Sequence, residues 1–179
     1  MFLPEHLQDV IRFAYYTGWR SGEILTLEWR DIYEDEIRLR QETVKNDEGR
    51  VILLVGEIAK IIERREQERV EACPYVFHKK GKRIVKYTYY WQKARTAAGL
   101  PEKLVHDFRR TAARNMDEAG VPRQVAKEIT GHKTDSMYNR YRIVPTRDIR
   151  KAQLLTFAYL EAETRTPDGR STKSDLQRI

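Results

Sequence analysis

The sequence predicts a mostly α-helical chain with a small antiparallel β-sheet, an α+β class reached from three observations. Apolar residues recur at helical spacing over most of the chain. The period drops to two in one stretch that starts at Ile37, and glycine or proline stands where most of the periods stop. At 179 residues the chain is long enough for one sizeable core.

The elements follow in order. Leu3, Leu7, Val10, Ile11, Ala14 and Tyr15 share a helical face, with Pro4 suited to a first turn and Gly18 to a stop, so a helix is expected from Pro4 to Tyr16. Ile24, Leu25 and Leu27 predict a second helix over Ser21 to Trp29, which leaves Thr17 to Arg20 as the bend and sets Arg20 at a helix-helix corner. The alternation of Ile37 and Leu39, then Thr43, then Val51 and Leu53 predicts a hairpin, with its turn at Asn46-Asp47-Glu48-Gly49 and Lys45 at the tip. Glu57 to about Val70 has a charged amphipathic pattern with Ile58, Ile61 and Ile62 inward, and Tyr75-Val76-Phe77 reads as a third short strand. Further helices are expected at Lys86 to Ala98, Phe108 to Ala119, Pro122 to Ile129 and Pro145 to Ala162. Thr164 to Ile179 has no apolar period and reads as a tail.

Composition narrows the partners. Lys and Arg number 34 against 27 Asp and Glu, and the resulting +7 favours a polyanion. Cys73 has no second cysteine to pair with, and the histidines lack the spacing of a structural zinc site. No run of about 18 apolar residues and no leader pattern is present, so a soluble, cytoplasmic protein is expected. No glycine loop for ATP appears either.

The chemistry is concentrated between His106 and Tyr141. His106-Asp107-Phe108-Arg109-Arg110, Thr130-Gly131-His132 and Tyr141 bring two imidazoles, a guanidinium and a phenol into one stretch. Transferring a phosphodiester to a side chain needs a nucleophile, a proton donor for the departing alkoxide and fixed positive donors for the charge that builds on the non-bridging oxygens. Each residue alone has an ordinary explanation: a corner arginine, an exposed turn lysine, a histidine after a helix end, one tyrosine among 10. Together they make up the set that metal-free phosphodiester chemistry requires. Metal binding by His106 and His132 is disfavoured, because Arg109 and Arg110 would repel a cation.

Thr17-Gly18-Trp19-Arg20-Ser21-Gly22-Glu23-Ile24-Leu25-Thr26-Leu27-Glu28-Trp29 resembles the first arginine box of the tyrosine recombinases, the phage integrase family. That resemblance puts the catalytic arginine on Arg20 and the supporting acid on Glu23. His106-Asp107-Phe108-Arg109 resembles the family's His-x-x-Arg box, Lys45 matches its hairpin lysine, and Thr130-Gly131-His132 followed nine positions later by Tyr141 resembles its final box. Tyr138 competes as nucleophile, but its offset from His132 is wrong for the family.

The resemblance implies a tyrosine-recombinase catalytic-domain fold over 1–163, followed by the flexible tail expected over 164–179; the amino-terminal core-binding domain that members of the family usually carry is not expected in this chain. It also implies cleavage and rejoining of double-stranded DNA through a 3′-phosphotyrosyl intermediate. Tyr141 would attack, Lys45 would protonate the leaving oxygen, and Arg20 and Arg109 would clamp the phosphate. His132 would hydrogen-bond that phosphate, and His106 would manage the tyrosine proton or support the same oxygens. No cofactor is implied. The segment after the nucleophile suggests a homo-oligomer on DNA through the carboxy-terminal helix. The basic run His78-Lys79-Lys80-Gly81-Lys82-Arg83 reads as a solvated turn or, through Lys79, Lys80 and Arg83, as a phosphate contact. Two alternatives stay open: DNA relaxation of the type IB topoisomerase kind, and a non-catalytic DNA-binding module of the same fold.

Overall fold

The structure is a computed structural model that describes residues 3–40, 49–132, 134, 138 and 146–163. Contacts divide the chain into two units, Met1–Tyr141 and Arg142–Ile179. In the first, α1 (Glu5–Thr17) buries Leu7, Val10 and Ala14 as the spacing predicts, but Phe13 is also buried, Ile11 is only partly so and Tyr15 is exposed, so the inner face is rotated toward Phe13. Gly18 ends it in the left-handed conformation. The helix α2 is only Ser21–Leu25, and a 3-10 turn at Trp29–Asp31 follows. The expected continuous helix to Trp29 is broken because Leu27 turns into the core and its carbonyl accepts the Val76 N–H.

Strands β1 (Glu36–Leu39) and β2 (Arg50–Leu53) pair antiparallel, Leu39 opposite Arg50. Ile37 and Leu39 face inward as expected, but in β2 the inward pair is Arg50 and Ile52, and Val51 and Leu53 are exposed. The alternation that picks out Val51 and Leu53 thus marks the exposed face of this strand, one residue out of phase with its buried face. The inward Arg50 lies 2.7 Å from Glu23 Oε1. Of the expected turn at 46–49 only Gly49 is among the described residues, and Lys45 lies outside them.

After α3 (Gly56–Gln67), which buries Ile61 and Ile62, the expected strand at Tyr75 to Phe77 is absent as such. Tyr75 makes a single bridge to Glu28, while Val76 and Phe77 are fully buried core residues with Phe77 edge-on to Phe13. The local hairpin is instead β3 (His78–Lys79) and β4 (Lys82–Arg83), turning through Lys80 and Gly81, both at positive φ. The first unit is completed by α4 (Thr88–Ala97), α5 (Asp107–Glu118) and α6 (Arg123–Thr130). One apolar core gathers α1, α2, the β1–β2 pair and α3 around Phe13, Trp19, Leu27 and Phe77. Burial of each such side chain stabilises by about 1.5–3 kcal/mol. A smaller cluster of Ala113, Ala126 and Tyr138 joins α5 to α6.

The second unit holds α7 (Thr146–Glu163), whose Ile149, Leu154, Leu155, Phe157, Tyr159 and Leu160 are exposed. Among the described residues no helix is long and apolar enough to cross a membrane.

Candidate active site

The first wall of the site is the corner after α1. Thr17 closes the helix by donating its hydroxyl to the Phe13 carbonyl and accepting the Trp19 N–H, and Gly18 reverses the chain. Trp19 is then driven into the core, where its indole N–H reaches the Ile129 carbonyl at 2.9 Å on α6. Arg20 is left at the start of α2. Its backbone N–H and its Nη1 both bond Glu23, at 2.8 and 2.9 Å. With its side chain 33% exposed, Arg20 keeps Nε and Nη2 uncommitted among the described residues.

The second wall is built by α5 and by the turn that ends α6. Gly131 takes the left-handed conformation after Thr130 and turns His132 back toward α5. Arg109 is 4% exposed and spends most of its donors here. Nη1 bonds the carbonyls of Gly18 (2.9 Å) and Thr130, Nη2 bonds the Gly131 carbonyl at 2.8 Å, and Nε reaches His132 Nε2 at 3.2 Å. Four of the five guanidinium hydrogens are thereby held by protein acceptors. Arg109 is chiefly the brace between the two walls, and Arg20 is the arginine whose fork stays open to a ligand.

Those bonds set the state of His132. Arg109 Nε can only donate, so Nε2 accepts and the ring proton sits on Nδ1, 2.7 Å from Thr130 Oγ1. The Thr130 hydroxyl in turn donates to the Ala126 carbonyl at 2.7 Å. Burial, then the charges of Arg109 and Arg20, then His106 and Arg50 lower the His132 pKa to about 4, so the ring is neutral at pH 7. The exposed His106 is also held below 6.5, first by burial and then by Arg109, Arg110 and Arg20. Arg109 itself falls to about 10, mainly through burial and the nearby Arg20, and stays protonated.

Arg50, which the sequence reading passed over, sits behind both walls. It lies 2.7 Å from Glu23 Oε1, donates to the Thr130 carbonyl at 3.0 Å and stacks on Trp19, 5.2 Å from the ring centre. Burial alone would raise the Glu23 pKa, but the bonds and charges of Arg50 and Arg20 hold it below the usual carboxylate value. One carboxylate against three guanidiniums leaves the cleft positive, a preformed seat for an anion with neutral imidazoles beside it. The signal in sequence was faint: an arginine at an inward strand position, which a count of apolar residues skips.

Of the predicted residues, the structure brings together Arg20, Glu23, Arg109 and His132, with His106 as the residue that begins α5. Lys45 and Tyr141 lie outside the described residues. Tyr138 is 4% exposed, and its hydroxyl donates to Ala113 O or Asp117 Oδ1, so it is a core residue and is unsuited to attack a phosphate. Lys79, Lys80 and Arg83 are exposed on the β3–β4 hairpin, beside Val70 and Tyr75 rather than against the arginine cluster.

A sequence model described as the phage integrase family matches residues 3–146. The integrase of Salmonella phage P22 is 25% identical over 151 residues, covering 76% of this chain and 39% of that protein. The integrase of Escherichia phage HK022 is 27% identical over 154 residues, covering 78% of this chain and 42% of that protein. Among solved structures, a lambda integrase (75–356) dimer bound to a COC′ core site shares the fold with a TM-score of 0.64 at 23% identity, over 78% of this chain and 53% of that one. The chain thus spans about two fifths of the length of the two phage relatives.

Proposed function

Because the chain belongs to the phage integrase family, we propose that it is the DNA-cleaving and rejoining part of a site-specific recombinase, working through a 3′-phosphotyrosyl intermediate. The observation that carries this is the convergence of Arg20, Arg109 and His132, from three separate stretches of sequence, on one positive cleft. We assign the catalytic part to 1–163 and a tail to 164–179.

In this reading Tyr141 Oη attacks the scissile phosphorus, the bond from phosphorus to the 5′ oxygen breaks, and Lys45 delivers a proton to that oxygen. The uncommitted edge of Arg20 takes the non-bridging oxygens in the planar, forked fashion that suits a phosphate. Arg109 adds positive charge and its remaining Nη2 hydrogen while holding the walls in place. An arginine aimed at transition-state charge contributes roughly 4–7 kcal/mol if arginine-finger magnitudes transfer. A neutral His106 suits acceptance of the phenol proton. His132 needs a proton on Nε2 to donate to phosphate, and an anion in the cleft favours that protonation by opposing the arginine charges. A 5′-hydroxyl of a second strand then attacks the phosphotyrosine and releases Tyr141. Bond energy is kept in the intermediate, so the exchange needs no nucleotide cofactor.

The partner is double-stranded DNA, gripped mostly through phosphates, with Lys79, Lys80 and Arg83 as further phosphate contacts. Lambda integrase was solved as a dimer on its core site, and we propose self-association on DNA here too, through the exposed apolar residues of α7. The test is a nicked suicide duplex. The protein should form a denaturation-resistant adduct that Tyr141→Phe abolishes, and an adduct surviving that change would remove Tyr141 as nucleophile. Failure of the wild-type chain to form any adduct would favour the non-catalytic DNA-binding reading.

A further inference from the structure

We propose that Arg50 is a positioning residue of this active site: it fixes the Arg20 arm and the His132 turn relative to each other without touching DNA. The inference rests on the recombinase reading above, which supplies the reaction that it serves.

The geometry is specific. Arg50 is 6% exposed, so its guanidinium has been taken out of water, at a cost that an aliphatic residue would avoid. Its contacts go to the two walls of the cleft. On one side it meets Glu23 Oε1, the same oxygen that receives Arg20 Nη1, and the ring of Trp19, the residue before Arg20. On the other it donates to Thr130 O, a carbonyl shared with Arg109, in the turn that delivers His132. It also fills the space over Gly131, where an added Cβ would lie 2.6 Å from Arg50 Cζ.

An ion pair that only joined β2 to α2 could ignore the α6 turn, and one that only joined β2 to α6 could ignore Glu23. Arg50 does both, and a guanidinium has the forked reach to do so. A change at Arg50 therefore moves Glu23 and with it Arg20, and loosens the Thr130–His132 turn. Burial keeps Arg50 itself from the phosphate, so the effect should fall on the chemical step rather than on DNA affinity.

The experiment uses the whole 179-residue chain with Arg50→Met and Arg50→Lys. Adduct formation is followed at saturating suicide duplex, DNA Kd by anisotropy, folding by thermal melting, and the His132 tautomer by imidazole 15N NMR. For folded Arg50→Met we expect an adduct rate lowered about 30-fold or more with Kd within about twofold. Adding Glu23→Gln should lower it by no more than about twofold again, since both act through one link. Arg50→Lys should recover part of the rate, because an ammonium reaches one wall but not both.

A folded Arg50→Met that cleaves within about threefold of wild type, or one whose Kd weakens in step with its rate, overturns the proposal. If Arg50→Met does not fold, Arg50→Lys decides alone: an unchanged rate overturns the assignment, and a loss of about tenfold at unchanged Kd supports it. If the wild-type chain forms no adduct, the recombinase reading falls by itself. Arg50 is then judged by NMR, where a His132 tautomer population unchanged in both variants refutes its positioning role and a shifted one upholds it.

Discussion

Two turns in this molecule are built on the same three-residue plan, Thr17-Gly18-Trp19 after α1 and Thr130-Gly131-His132 after α6. In both, a fully buried threonine donates back to the carbonyl four residues earlier, at 2.8 and 2.7 Å. In both, glycine follows at φ +66 or +70. In both, the threonine oxygen then fixes the third residue, through the Trp19 backbone N–H at 3.1 Å or the His132 Nδ1 at 2.7 Å. Arg109 bonds both glycine carbonyls. The plans diverge only in the last side chain. Trp19 is buried and ties its turn to Ile129, next to the other turn, whereas His132 stays partly open and presents a titratable ring. One local device thus serves once as an anchor and once as a mount for chemistry.

The largest way to break the pair is to remove what joins it. Arg109→Ala removes the donor to the Gly18 and Gly131 carbonyls and to His132, and one of the two donors to Thr130 O, so we expect about 3–5 kcal/mol lost in denaturant unfolding together with loss of the covalent adduct. Arg20→Ala is the control. Among the described residues its ionic partner is Glu23 and its Nε and Nη2 are uncommitted, so melting should be little changed while the adduct rate falls by about 10³-fold or more. Equal destabilisation by the two substitutions would contradict the separation of brace from clamp.

Next come the glycines. Alanine at either position is strained by about 1–2 kcal/mol in the left-handed region. Gly18→Ala also brings a Cβ to 3.1 Å from Ala112 Cβ and Thr130 Cγ2, and Gly131→Ala drives one into the Arg50 guanidinium. Both should lower the melting temperature. Per unit of stability lost, Gly131→Ala should lower adduct formation far more, because it displaces the ring that acts and the arginine behind it. Similar activity losses at matched stability would remove the distinction between anchor and mount.

How far this arrangement could be read in the sequence depends on what fixes each part. The span of α1 and the stops at Gly18 and Gly131 were legible from periodicity and glycine placement, and the resemblance of the motifs pointed to Arg20, Arg109 and His132, which the structure groups together. The inward phase of β2 was not. The alternation picks out Val51 and Leu53, and only Glu23 and Thr130, distant in sequence, explain why Arg50 and Ile52 are the buried pair. Tyr75 to Phe77 misled for the same reason: their apolarity reports burial, and burial was supplied by packing on Phe13 and Leu27 rather than by a ladder. The resemblance marks Arg109 as a phosphate clamp, whereas its brace needs the carbonyls of Gly18, Thr130 and Gly131, which no local pattern brings together.

A smaller effect separates the threonines. Thr17→Val and Thr130→Val keep the shape and remove a hydroxyl, and each should cost about 1 kcal/mol of stability for the lost bonds. Thr17→Val should leave the adduct rate within about twofold, since only a backbone N–H and a carbonyl lose their partner. Thr130→Val frees His132 Nδ1 from its acceptor, so the tautomer is no longer held and the rate should drop by about tenfold. A rate unaffected by Thr130→Val would show that the hydroxyl serves only its own helix, as Thr17 does.

Stability also depends on pH through the histidine turn. His132 is lowered from 6.5 to about 4, mainly by burial and then by the arginine charges, so the unfolded chain binds a proton there that the folded chain refuses. Stability is therefore complete above pH 6.5 and is lost as pH falls toward 4. His6, His78 and His106 are shifted in the same direction, each chiefly by burial, and add to the same slope. For His132, half open to solvent screening, the loss is on the order of 1–2 kcal/mol. Urea unfolding at pH 7 and pH 5 should show that decline, and His132→Asn should reduce it, because Asn carries no titrating group. Trp19 has no titrating group either, so Trp19→Phe should leave the pH slope intact while lowering stability at both values. A slope equally reduced by both substitutions would mean that it reports general loosening of the two turns, and not the proton refused at His132.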